Sequence, residues 1–263
     1  MPRLKLTVLQ IGVGLIFLLA WHVLTVYPIS GTPKQVQFFF STPLDVLKRC
    51  WTLFASGEIW GHLWITLVET ILAFLIGAGG GIIFGFLFAR KELLAAVFDP
   101  YIKAANALPR VVLAPIFALW FGLGIWSKVA LGFTLVFFIV FFNVYQGVRE
   151  VSPVVLANAR MLGMNERQLL RHVYWPSALT WVFSSLHTSV GFALVGAVVG
   201  EYLGSSAGLG YKIHEAESVF DVTGVFAGML ILSVFVILID MLVTRIENAF
   251  LVWRPQASLA ART

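Results

Sequence analysis

The sequence predicts an all-α polytopic membrane protein with six transmembrane helices and an inner loop of two short helices. Three observations carry this reading. Of 263 residues, 59% are hydrophobic and only 12% charged, and the mean hydropathy is +0.91, whereas a soluble domain carries roughly 25% charged residues. Long intervals lack Asp, Glu, Lys and Arg altogether: between Lys5 and Lys34, Glu69 and Arg90, Lys128 and Arg149, Arg171 and Glu201, and Asp221 and Asp240. Basic residues are unevenly shared between the connections that separate these intervals. Disorder, a coiled coil and an ordinary cytosolic enzyme are excluded as descriptions of the bulk. The apolar runs are continuous, not alternating, which favours helices over a β-barrel.

A helix needs roughly 20 residues to cross the hydrocarbon core. The expected spans are 8–27, 64–89, 105–123, 129–148, 179–201 and 223–244. The first follows Arg3 and Lys5 as a signal peptide would, but its apolar run is too long and no A-x-A site follows, so a retained helix is expected. The third occupies the shortest interval, Arg110 to Lys128, and rests on the strongly apolar stretch Leu113 to Leu123. With the N-terminus inside, 13 of the 18 Lys and Arg residues fall on the inner side. The positive-inside bias then predicts both termini in the cytoplasm. This asymmetry explains the net charge of +5 without any nucleic-acid partner.

Two connections are long enough to hold structure. The outer segment 28–63 contains Pro28, Pro33 and Pro43, and a short interfacial helix is expected from Thr42-Pro43, since proline suits a first helical turn. The inner loop 149–176 places Leu156, Ala159, Leu162 and Gly163 on one helical face. It breaks at Gly163-Met164-Asn165 and resumes through Leu169, Leu170 and Val173 to Trp175-Pro176. Gly163 permits a sharp turn, and Pro176 is expected to stop the second helix before the next span. Within the spans, Gly77, Gly81 and Gly85, and again Gly196, Gly200 and Gly204, repeat every fourth residue. Such spacing lets helix backbones approach closely, within the chain or across a subunit interface.

The chain offers little for catalysis. It has no G-x-x-x-x-G-K-[ST] phosphate loop and no H-E-x-x-H. The five histidines are scattered, and Cys50 is the only cysteine, so no intrachain disulfide, cysteine-cluster or other metal site is expected. Gly77-Ala78-Gly79-Gly80-Gly81 lies inside an apolar span with no preceding strand, which defeats a dinucleotide reading. An intramembrane enzyme would draw on Ser184, Ser185, His187 and Ser189 or on intramembrane acids; hydrogen bonding of the Ser hydroxyls within their own helix is the plainer account. Glu69, Glu201 and Asp240 are the acids within or at the ends of spans, and charge in lipid is costly enough to make each a functional candidate. Asp240 can pair with Arg245 or its neighbours. No span is expected to bury a Lys or Arg that would demand an anionic solute.

The inner loop reads Ala157-Asn158-Ala159-Arg160-Met161-Leu162-Gly163, then nine residues, then Val173-Tyr174-Trp175-Pro176. It resembles the E-A-A-x-x-x-G signature, completed by I-x-L-P, of binding-protein-dependent ABC importer permeases. Further segments resemble the nitrate, sulfonate and taurine branch: Asp99-Pro100, Pro109, Pro115, Trp120 to Gly124, Gly147-Val148-Arg149, Gly200 to Gly204, Gly208-Leu209-Gly210, and Arg245-Ile246-Glu247 to Trp253-Arg254. The signature Glu is replaced by Ala157, its following Ala by Asn158, and the Ile and Leu before the proline by Val173 and Trp175. His187 stands where relatives often carry a basic residue.

The resemblance implies a pore-forming subunit, not an enzyme, with 1–59 as an N-terminal helix and outer segment, 60–254 as the transmembrane domain and 255–263 as a cytoplasmic tail. It implies two copies of this chain in membrane lipid, two ATP-binding subunits that bring ATP and Mg, and a periplasmic binding protein that delivers the solute. Ala159, Arg160, Gly163, Arg171, Val173 and Pro176 would form the ATPase-docking loop. Glu69, Ser184, His187, Glu201, Ser205, Ser206, Gly208, Leu209 and Gly210 would form the outer gate or translocation path. An ion-coupled secondary transporter is the alternative, against which stand the docking loop and the lack of inverted repeats or a charged relay.

Overall fold

A computed structural model describes residues 3–29 and 31–250, except the side chains of residues 3, 4, 180, 184 and 247–250. All regular structure among the described residues is helical. The helices are α1 (Arg3–Val26), α2 (Pro33–Phe40), α3 (Pro43–Ala55), α4 (Glu58–Arg90), α5 (Glu92–Ala107), α6 (Ala114–Phe121), α7 (Ile125–Arg149), α8 (Pro153–Met161), α9 (Glu166–Leu169), α10 (Trp175–Gly204), α11 (Leu209–Ser218) and α12 (Val222–Phe250). A 3-10 turn, Arg110–Leu113, precedes α6, and a π-turn, Leu170–Tyr174, precedes α10. The tail 255–263 and the Trp253-Arg254 segment lie outside the described residues.

Five helical runs among the described residues are long and apolar enough to cross a membrane: Lys5–Val26, Glu58–Arg90, Ile125–Arg149, Ser185–Ser218 and Val222–Ile246. The expected third span is different. In place of one helix over 105–123, α5 ends at Ala107 and the chain resumes at Arg110 with an 87° bend. Pro109 causes this: it has no N–H to donate, and it forces Leu108 into extended backbone (φ −63°, ψ 132°). A sixth crossing therefore exists only if the bent pair counts as one broken span.

The described residues divide into two compact units, one within 1–65 and 201–234, the other within 66–200 and 235–263. In the first, α2 and α3 each begin at a threonine cap. Thr32 and Gln35 form a reciprocal capping box with Pro33 in the first turn, and Thr42 accepts the Asp45 N–H. The Thr42-Pro43 helix is as expected; α2 was not anticipated. Long-range polar contacts hold this unit. Trp21 Nε1 donates to Phe40 O at 3.2 Å, the Ser41 and Thr223 hydroxyls meet at 2.8 Å, and Arg49 bridges to Asp221 at 3.1 Å.

The second unit is built on glycine-mediated helix crossings. A Cβ at Gly77 would lie 2.7 Å from Val136 Cβ, one at Gly81 2.7 Å from Val140 Cβ, and one at Gly85 2.9 Å from Val144 Cβ. The three glycines of α4 thus form a groove for the valine ridge of α7, at i, i+4, i+8 on both helices. Gly132 on α7 faces Ala73 and the backbone of Ala193, while Gly196 on α10 touches the Gly132 backbone. Gly147 makes room for Trp181. Ala73, Ala78, Val136, Val140, Val144, Val148, Ala178 and Val182 form the small-residue core these approaches create.

Candidate functional site

The 149–176 loop contains α8, with Pro153 in its first turn. This helix ends in a reciprocal pair of backbone bonds: Gly163 N–H to Arg160 O at 2.9 Å and Met164 N–H to Ala159 O at 3.1 Å. This is a Schellman turn, and Gly163 occupies its left-handed position at φ +79°. A Cβ there would meet nothing within 4 Å, so backbone angle, not space, demands the glycine. Asn165 then opens α9 through a capping box with Gln168, both bonds at 2.9 Å. The two-helix reading of the loop agrees with this, but its packed face does not. Ala159 and Leu169 are buried, whereas Met161 and Leu162 are 85% and 80% exposed. The Schellman turn carries Leu162 off the buried face and presents a bare apolar tip.

Pro176 does not stop the helix. The chain runs from α9 through the π-turn directly into α10, with Pro176 in its first turn. Trp175 N–H bonds to Leu170 O, a step of five residues. The wider turn absorbs the proline that a regular helix would not accept in its interior. The expected docking residues therefore divide. Ala159, Arg160 and Gly163 lie at the end of α8, Arg171 and Val173 lie in the π-turn, and Pro176 lies at the base of α10. Arg90, at the end of α4, joins the parts: its guanidinium pairs with Glu166 and lies 5.4 Å over the Tyr174 ring. Arg160 approaches the same carboxylate at 3.5 Å.

A second constellation surrounds the break between α10 and α11. Glu201 is fully buried, and its Oε2 accepts the Gly210 N–H at 2.7 Å. The carboxylate thus sits on the unsatisfied N–H groups that open α11. Gly208 passes so close, at φ +114°, that a Cβ would overlap the Glu201 carboxyl group. Its N–H donates to His62 Nδ1 at 3.0 Å, and the His62 ring stacks on Tyr211 with centroids 6.0 Å apart. Leu209 is buried and Ser205 folds onto its own loop, its hydroxyl donating to Ala207 O at 2.7 Å. Ser206 is exposed. Sequence reading missed His62, whose partner is a backbone group 146 residues away. Lys212 on α11 pairs with Glu58 at 2.6 Å and with Glu215.

The remaining candidates belong to the other unit. Glu69 is buried. Asp240, for which Arg245 or its neighbours were possible partners, faces His187, Oδ1 to Nε2 at 3.6 Å. The Ser185 hydroxyl donates to Val182 O at 2.8 Å within its own helix, which leaves its proton committed to a carbonyl. The Ser184 side chain lies outside the described residues. Lys128 corrects a further expectation: it is buried in the first turn of α7, inside an apolar run, and its ammonium donates to Leu123 O and, at 3.0 Å, to Gly124 O. Among the described residues no three His, Cys, Asp or Glu side chains group as metal ligands.

Residues 81–252 match the family described as the binding-protein-dependent transport system inner membrane component. The putative aliphatic sulfonates transport permease SsuC of Bacillus subtilis is 35% identical over 213 residues, 81% of this chain and 77% of that protein. The formylaminopyrimidine transport permease ThiX of Halalkalibacterium halodurans is 32% identical over 232 residues, 88% of this chain and 92% of that protein. The fold is shared with the crystal structure of an amino acid ABC transporter with histidines, at TM-score 0.61 and 20% identity, over 76% of this chain and 95% of that one. With residues 81–252 matched to this family and relatives more than 30% identical over most of its length, the chain belongs to the binding-protein-dependent permease family, the membrane components of ABC transporters.

Proposed function

We propose that this chain is the pore-forming subunit of an ATP-driven importer for a small solute such as nitrate, a sulfonate or taurine. Two copies form the pathway, with 60–254 as the transmembrane domain and both termini in the cytoplasm. Two ATP-binding subunits, carrying ATP and Mg, dock on the 149–176 loop, and a periplasmic binding protein delivers the solute to the outer face. The chain has no phosphate-binding loop of its own and hydrolyses nothing. Glu69, Ser184 and His187 line the path, and Glu201 with Ser205, Ser206, Gly208, Leu209 and Gly210 forms the outer gate. Within that gate, Glu201 acts by holding the loop onto the start of α11.

The observation that carries this reading is the Schellman turn with Met161 and Leu162 exposed beside Arg160. Two large apolar side chains on a rigid water-facing turn suit a groove on a soluble subunit. The Arg90–Glu166 pair and the Arg90–Tyr174 contact tie that turn to α4, so force applied at the tip reaches a membrane-crossing helix. A double variant, Met161→Asp with Leu162→Asp, should reach the membrane at normal abundance yet lose the ATP-binding subunit on purification, and with it uptake. Retained copurification and transport would remove the docking assignment. The solute is identified by which ligand raises the melting temperature of the partner binding protein.

A further inference from the structure

The π-turn does more than accommodate Pro176. Beside it, between α4 and the start of α10, lies a crevice of about 520 Å³ lined by Ile82, Ile83, Phe86, Leu170, Arg171 and Trp175, two of them from the turn itself. Five of these six side chains are apolar, and Arg171 is the sole cation. Ile82, Ile83 and Phe86 belong to the apolar run of α4, so an occupant that covers them must reach into hydrocarbon. Phe86 lies one turn and Ile82 two turns before Arg90, which places the crevice about 6–12 Å along the helix from its charged end. Trp175, half in and half out of the surface, is the residue type that sits at the headgroup level.

The charges around the crevice are unequal. Arg90 is neutralised by Glu166 and covered by Tyr174. His172 Nδ1 lies 3.0 Å from Gln168 O within its own helix. Arg171 is exposed and has no ion pair or hydrogen bond among the described residues. A guanidinium without a counter-charge, set over an apolar crevice at the inner end of a span, is complementary to a phosphate that carries acyl chains.

We infer that this crevice binds an anionic phospholipid of the cytoplasmic leaflet, with the phosphate on Arg171 and an acyl chain along Ile82, Ile83 and Phe86. The inference rests on the inward orientation proposed above. It moves Arg171 from the ATPase-docking set to a lipid site. A lipid seated there fills the crevice beside the π-turn and braces the base of the docking loop against α4.

The test uses the assembled transporter in nanodiscs of phosphatidylcholine with or without phosphatidylglycerol. Phosphatidylglycerol retained per complex is read by native mass spectrometry, alongside the melting temperature. The wild-type complex should retain phosphatidylglycerol and melt higher in its presence. Arg171→Gln should reduce retention roughly fivefold, the equivalent of about 1 kcal/mol for one basic residue at an anionic surface, and leave copurification of the ATP-binding subunit intact. Ile83→Trp fills the crevice without altering charge and should lower retention as well. Added inorganic phosphate should not compete, since it lacks the chains. Equal retention by Arg171→Gln and wild type overturns the inference. So does loss of the ATP-binding subunit in Arg171→Gln with lipid retention unchanged, because Arg171 would then face the soluble partner. Cysteine labelling at Ser152 reports orientation independently, so a failed lipid result with a cytoplasmic loop counts against the lipid site alone.

Discussion

The Glu201 carboxylate accepts the backbone N–H of Gly210 at 2.7 Å, and Gly208 packs so near that a Cβ on it would lie 2.1 Å from the carboxyl carbon. A buried acid at the edge of a span is here a helix cap, not a free charge. Its removal should act on stability first. Hydrogen bonds to charged groups are worth about 1.5–3 kcal/mol. Glu201→Leu should lower stability by about 2 kcal/mol, seen as a lower melting temperature of the detergent-solubilised protein. Glu201→Gln, which keeps an acceptor oxygen, should lose less. Gly208→Ala should be as damaging as Glu201→Leu, because it combines a left-handed backbone with overlap on the carboxyl group. A Gly208→Ala protein with wild-type melting would refute the cap.

At Gly163 the two possible costs separate cleanly. The surroundings are empty, so Gly163→Ala should lose only the backbone term, about 1–2 kcal/mol for a left-handed residue. Asn adopts that conformation more readily and should be the best tolerated substitution. Gly163→Asp shares the shape of Asn and adds a charge beside the apolar tip. Uptake with Asn but not Asp would assign the defect to electrostatics at the docking face; equal loss of uptake in both would assign it to the turn. Normal uptake by all three variants would show that the turn does not matter.

The glycine groove of α4 gives a paired comparison. Gly77→Ala and Gly81→Ala press a methyl into Val136 and Val140, and overpacking of this kind costs about 1–3 kcal/mol. Gly79, between them in sequence, has nothing within 4 Å of a Cβ. Gly79→Ala should be neutral or stabilising, by up to about 1 kcal/mol from helix propensity. Melting temperatures of the three variants check this. Destabilisation by Gly79→Ala as large as that by Gly77→Ala would contradict the open face seen at Gly79.

Orientation is tested by cysteines at Ser152 and Asn165, which should react with an impermeant maleimide only after the membrane is permeabilised. The native Cys50 is a slow background. Burial pushes its thiol above the usual range, against a smaller opposing backbone hydrogen bond. Its thiolate is therefore scarce at pH 7 and grows as pH rises toward the elevated value. Between pH 7 and pH 9 the rate of Cys50 labelling should rise by a larger factor than that of an exposed cysteine at Ser152, while staying slower at both pH values. Labelling at Ser152 in intact spheroplasts would invert the topology.

The span pattern was legible because charge-free runs of about 20 residues leave a helix few alternatives in lipid. The third span was misread at Pro109: the apolar run Leu113 to Leu123 is real, but one missing N–H turns the chain by 87° before it begins. The α2 helix was visible in principle in Thr32-Pro33 and Gln35, a capping box with its proline, and was overlooked because the segment is so short. The Gly163 break was legible, since a glycine after a helical pattern predicts a C-cap. The exposure of Leu162 was not, because the Schellman turn leaves helical periodicity one residue too early for the pattern to follow. His62, Gly208 and Glu201 meet through backbone atoms, and no spacing rule links a histidine to an N–H 146 residues away.

The π-turn also sets a phase. A regular helix advances about 100° per residue, and five residues closing one turn store a single extra residue between α9 and α10. That extra residue offsets the azimuth of everything before Leu170 from everything after Tyr174 by nearly a third of a revolution. The face that α10 turns toward Gly132 and the direction of α9 are thus set separately along one continuous rod, and α8, with Arg160, Met161 and Leu162, follows α9 across the Gly163 turn. Gain or loss of one residue at this place would re-aim α9 relative to the face of α10 that packs on Gly132, and would move Glu166 and Tyr174 against Arg90 of α4.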